Sequence, residues 1–116
     1  MASASGGATP GRLGEDAAAA WYSAHGYQVV ARNWRCRTGE IDLVCRRGRV
    51  LVICEVKTRT SERFGSPFEA VTPAKRSRLR RLATLYLLEA AQRTPTVRFD
   101  VAAVTGGRVE VIENAF

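Results

Sequence analysis

The sequence predicts an α/β (α+β) fold in which helices flank a mixed β-sheet, in the order α-β-β-β-α-β-β. Three observations predict it. Two β-branched, apolar runs, Glu40–Arg46 and Val50–Thr58, flank Arg47-Gly48-Arg49, which is a strong hairpin signal. Two stretches, Gly11–His25 and Pro73–Gln92, carry apolar residues at helical spacing. A further strand, Val97–Val104, follows the second helix and is expected to lie parallel to a hairpin strand through a helical crossover.

The first ten residues are rich in Ala, Ser and Gly and are expected to form a disordered tail ahead of one domain over residues 11–116. In the first helix the stripe is Leu13, Ala17, Ala20, Trp21 and Ala24, with Gly26 as the C-terminal stop. Glu15 falls on the side away from that stripe. It reads as a first-turn acid favoured by the helix dipole. His25, the only histidine, is expected on the surface of the last turn and is given no catalytic role.

Tyr27–Trp34 is rich in strand formers and Arg35–Gly39 is a basic turn. The hairpin comes next. Arg59–Phe68 is long and polar, either a substrate-facing loop or a plain connector. Thr72 suits the N-cap and Pro73 the first position of the second helix. Its apolar stripe is Leu79, Leu82, Ala83, Tyr86 and Ala90. Five of the seven residues Lys75–Arg81 are basic. Arg78, Arg80 and Arg81 point away from the stripe, and Lys75 falls on the stripe side. Val97, Phe99, Val101 and Ala103 share one face of the fourth strand, with Arg98 and Asp100 on the other; Gly106-Gly107 turns into a last strand, Val109–Ile112.

Composition narrows the partners. With 116 residues and 46% apolar content the chain can bury an ordinary core. A net charge of +7 and a pI of about 10.2 favour an anionic polymer, nucleic acid before membrane. No run approaches the roughly 18 apolar residues of a membrane span, and no basic segment followed by an apolar one marks a signal peptide. Cys36, Cys45 and Cys54 have no CxxC spacing. They read as reduced, buried thiols of a cytoplasmic protein, and a zinc site is not expected.

The hairpin carries the chemistry. With a two-residue loop at Gly48-Arg49, the preferred reading, Asp42 falls opposite Glu55 and Glu40 opposite Lys57. A loop at Arg47-Gly48 keeps all four on one face, whereas a three-residue loop moves Asp42 to the other. One face is then Ile41, Leu43, Cys45, Val50, Val52, Cys54 and Val56, the expected core. The other carries Val44, Leu51 and Ile53 near the turn and Glu40, Asp42, Glu55 and Lys57 at the open end. Carboxylates facing each other across strands repel. A divalent cation, which takes oxygen ligands, would compensate. The plainer alternative is a solvated, salt-paired face. The chain has sixteen arginines and only two lysines, Lys57 and Lys75. A lysine two residues after Glu55 therefore favours a chemical role, because its pKa moves where arginine's does not.

An acid on one strand followed by Glu55-Val56-Lys57 on the next resembles the PD-(D/E)XK nuclease pattern. Gly14-Glu15, Gly26-Tyr27, Arg32-Asn33-Trp34, Gly39-Glu40-Ile41-Asp42-Leu43 and Glu55-Val56-Lys57-Thr58-Arg59 together resemble the bacterial YraN-like family, which is similar in fold to archaeal Holliday-junction resolvases. Ile41 stands where that superfamily's name has proline. The resemblance implies a restriction-endonuclease-like core and a Mg2+- or Mn2+-dependent endonuclease acting on DNA, branched DNA included. It implies that Asp42, Glu55 and the Val56 carbonyl hold the metal, with Glu15 as a further metal-site acid. Lys57 would orient or activate the attacking water, and Glu40 would support a second ion or hold Lys57. Arg59, Lys75, Arg76, Arg78, Arg80 and Arg81 would grip the nucleic-acid backbone. Resolvase-like relatives also imply a homodimer. Two other readings are a nucleic-acid-binding module without catalysis and a basic adaptor for an acidic protein.

Overall fold

The computed structural model describes residues 10–59, 71–90 and 96–116. The elements are α1 (Pro10–Ala24), β1 (Gln28–Cys36), β2 (Gly39–Arg47), β3 (Val50–Arg59), α2 (Pro73–Ala90), β4 (Thr96–Thr105) and β5 (Arg108–Ile112). The order is the predicted one. Of the expected tail over residues 1–10, Pro10 instead opens α1, and residues 1–9, like most of the Arg59–Phe68 loop, lie outside the described residues. Among those described, no helix is long and apolar enough to cross a membrane.

The five strands form one mixed sheet in the order β1-β2-β3-β4-β5. Only β3 and β4 run parallel, and α2 makes the crossover between them. The β2–β3 register is Arg47↔Val50 through Leu43↔Cys54, as a two-residue Gly48-Arg49 loop requires. Gly48 has φ +60°, which the first central position of a type II′ turn demands and glycine supplies without strain.

Each face of the sheet is covered by a helix. Leu43, Cys45, Val52, Cys54 and Ala102 pack with Ala18, Ala19, Tyr22 and Tyr27 on one side. Val44, Leu51 and Ile53 pack with Leu79, Leu82, Ala83 and Tyr86 on the other. The hairpin's second face is thus a core as well. Ile41 departs from the expected face and joins the α2 cluster. Alternation breaks beside it: the β2–β3 ladder stops at Leu43↔Cys54, and Asn33, between Arg32↔Leu43 and Trp34↔Ile41, takes φ +52°.

The α1 stripe needs correction too. Its buried residues are Gly14, Ala18, Ala19 and Tyr22, while Leu13 is 56% exposed and Ala20 and Ala24 are exposed. The helix is turned by about one residue, roughly 100°, from the expected orientation. Close approach to the sheet decides this. A Cβ on Gly14 would collide with Thr58 Oγ1, so the start of the contact face must be a glycine, with Ala18 and Ala19 following it. Tyr22 then anchors the helix by donating to Asp100 at 2.6 Å.

The α2 stripe is as expected through Tyr86, but Ala90 is exposed. Thr72 Oγ1 accepts from the Lys75 amide at 3.2 Å, the bond an N-cap threonine makes. Asp100 is fully buried. Arg98 donates to both of its oxygens at 2.9 Å, and the Asn114 amide donates at 3.0 Å. The hydrogen bonds that Arg98 donates to Asp100 hold the Arg98 pKa above its ordinary value, and burial raises that of Tyr22. This ion pair ties α1, β4 and the C-terminal turn together.

Candidate active site

The turned α1, the interrupted β2 and the N-terminus of α2 converge at one place. Glu40, Asp42, Glu55, Lys75 and Arg78 line a cavity of about 300 Å³, with Leu79 and Leu82 beneath them. Gly39 sits against Leu82 and Arg78, where a Cβ would come within 3.3 Å of the leucine.

Asp42 is partly buried. Its Oδ2 accepts from the Val56 amide at 2.8 Å. Burial pushes its pKa up to about 7, and the charges of Glu55, Glu15 and Glu40 push the same way against the Val56 hydrogen bond. A buried carboxyl beside three other acids is held toward its neutral form, and such a perturbed group in a cleft is a candidate site residue.

Glu55 is 5% exposed and carries both lysines of the chain: Lys75 Nζ is 2.5 Å and Lys57 Nζ 3.3 Å from Oε2. Burial opposes the charge on Lys75, but the hydrogen bond and charge of Glu55 outweigh it and raise the ammonium's pKa. Glu40 pairs instead with Arg35 at 3.4 Å.

Glu15 sits beside the site because α1 turns it there. Asn33 Nδ2 donates to Glu15 Oε1 at 2.8 Å. The left-handed turn at Asn33, which asparagine tolerates better than most residues, accompanies that grip. Asn33 was not legible as a site residue from its chemistry. Its signal was only its place in the Arg32-Asn33-Trp34 motif.

The basic residues divide. Lys75 and Arg78 reach the cavity. Arg76 donates to the Val71 carbonyl at 3.0 Å and lies over Phe116. Arg80 lies over Phe99 and Phe116. Arg81 is exposed on α2, and Arg59 ends β3 beside Thr105. His25 is exposed and stacks on Trp21. All three cysteines are free thiols, but only Cys45 and Cys54 are buried and Cys36, at the end of edge strand β1, is half-buried; burial pushes Cys45 up to about 12, which leaves it unreactive.

The donor set fits a hard cation. Asp42 and Glu55 line a common cavity, and burial together with the neighbouring acids disfavours the charge on Asp42. Among the described residues no three His, Cys, Asp or Glu side chains converge to hold an ion by themselves. The protein would then supply few ligands, with water or a phosphate completing the shell, as Mg2+ favours.

Comparison with known proteins gives the lineage. The family model described as Uncharacterised protein family UPF0102 matches residues 14–104. A UPF0102 protein of Symbiobacterium thermophilum is 51% identical over 111 residues, covering 91% of this chain and 94% of its own. One of Acidothermus cellulolyticus is 47% identical over 121 residues, covering 91% and 92%. One of Frankia casuarinae is 51% identical over 111 residues, covering 91% and 94%. The matched region spans both helices and the sheet through β4, with every residue of the cavity inside it, and the chain belongs to the UPF0102 family, the YraN-like group.

Proposed function

We propose that this chain is a divalent-cation-dependent endonuclease that hydrolyses phosphodiester bonds in DNA, branched DNA included. One observation carries the reading: two partly or fully buried acids, Asp42 and Glu55, share a cavity with Lys75 and Arg78, and both lysines of an arginine-dominated chain bear on Glu55. Asp42 and Glu55 would hold Mg2+ or Mn2+, with Glu15 and Glu40 adding negative charge nearby. When bound, such an ion lowers the pKa of a water and offsets charge on the phosphate.

The chain's own groups do the rest. Lys57 holds Glu55 in place and offers an ammonium to orient the attacking water. Arg78 at the cavity wall is set to receive a phosphate, and Arg81 extends the basic face along α2. Arg59, Arg76 and Arg80 add positive charge around it. A net charge of +7 draws the polyanion in. A homodimer would present two such sites to a branched substrate.

The test is cleavage of labelled branched, flapped and single-stranded DNA with Mg2+ or Mn2+. Asp42→Ala should abolish cutting and leave DNA binding largely intact. Full activity in that variant would sink the assignment. The pairing of Glu55 with two lysines also fits a non-catalytic nucleic-acid-binding module. Steeply salt-dependent binding with no cleavage of any substrate would select that reading.

A further inference from the structure

We propose that Lys75 is the resident counter-ion of Glu55, a positioning residue that a divalent cation displaces and that thereby sets the cation affinity of the site. The inference rests on the metal-dependent reading above.

Glu55 needs one positive partner and has two. Lys57 reaches it from two residues along the same strand at 3.3 Å. Lys75 reaches it from another element and sits closer, at 2.5 Å. The position of Lys75 is electrostatically unusual. It lies in the first turn of α2, which has no acidic residue there, and the amide end of a helix repels cations. Glu55 supplies the compensation. The N-cap bond from the Lys75 amide to Thr72 Oγ1 fixes its backbone; a long, flexible stem leaves its ammonium free to swing.

A dication arriving between Asp42 and Glu55 meets the Lys75 ammonium. When Lys75 leaves Glu55, Lys57 stays to hold that carboxylate. The released ammonium remains at the cavity wall beside Arg78, where a phosphate would meet it.

The experiment is calorimetric titration of Mn2+ into wild type, Lys75→Met and Lys75→Gln, with circular dichroism to check folding. Removal of the competing charge should tighten Mn2+ binding by about tenfold. The variants should melt lower than wild type without Mn2+ and regain stability with it. Unchanged or weaker Mn2+ binding in both variants overturns the inference, and so does the absence of binding heat in all three proteins. A DNA-cleavage assay on the same samples separates the two readings. Tighter Mn2+ binding with no cleavage by wild type sinks the nuclease and keeps the counter-ion. Mn2+-dependent cleavage by wild type with unchanged affinity in the variants does the reverse.

Discussion

Asp42 Oδ2 accepts the Val56 amide hydrogen at 2.8 Å, so a side chain takes over where the β2–β3 ladder ends at Leu43↔Cys54. That bond holds the carboxylate in place but leaves it near Glu55, Glu15 and Glu40.

The first prediction concerns pH. The folded-state pKa of Asp42 lies at about 7, above its ordinary value of 3.8. The unfolded chain therefore loses this proton first, and the stability that this group contributes falls as pH rises from about 4 to about 7 and is constant above. Asp42→Asn keeps an oxygen acceptor for Val56 and removes the charge. It should be more stable than wild type at pH 8 in EDTA by on the order of 1–2 kcal/mol, less than the full shift because Asp42 is only partly buried. The gain should vanish near pH 4. Thermal melts across that range check it, and a constant difference would disprove the ionisation account.

A second prediction addresses the packing of α1. Gly14→Ala should destabilise the fold by about 1–3 kcal/mol through collision with Thr58. Thr58→Ala in the same chain should recover part of the loss, since Oγ1 is the nearest atom. Urea melts of the two variants measure it. Equal stability of Gly14→Ala and wild type would mean that α1 does not need this close approach.

Third, Asp100→Ala should cost about 3–5 kcal/mol, because it leaves Arg98 without its buried partner. Tyr22→Phe should cost less, about 1 kcal/mol, by deleting the hydroxyl that donates to Asp100 while Arg98 and the Asn114 amide stay in place. Chemical denaturation separates these values, and a reversed order would refute the assignment of Asp100 as the hub.

Fourth, the basic face should be uneven. Arg78→Ala and Arg81→Ala should each weaken DNA binding and reduce the salt slope by about 1. Arg76→Ala should act more on stability, because its guanidinium is engaged with the Val71 carbonyl and the Phe116 ring. Fluorescence anisotropy over a salt series resolves them. Slopes unchanged from wild type in Arg78→Ala and Arg81→Ala would argue against direct phosphate contact.

Much of this architecture was legible because local chemistry left little choice. A glycine-first two-residue loop sets the hairpin register, and with it the common placement of Asp42 and Glu55. Thr72-Pro73 marks the start of α2, whose stripe through Tyr86 uses large apolar residues. The α1 face was misread for the opposite reason. Gly14, Ala18 and Ala19 contribute closeness rather than bulk, so Leu13 drew the eye to a solvent-facing stripe. The same rotation hid Glu15. No pattern along a strand announces a buried pair such as Arg98–Asp100, whose partners come from α1 and the C-terminal turn. Ile41 followed the period-two rule on paper and broke it where Asn33 leaves the ladder.

That irregularity also bears on self-association. β1 is an edge of the sheet, and an exposed edge of nine residues is an open template for another chain's backbone. The register shift between Val29 and Ala31 and the positive φ of Asn33 twist its hydrogen-bonding groups out of line. A strand added to this edge would leave bonds unmade there, so the distortion beside the acidic site makes β1 a poor template for edge-to-edge pairing.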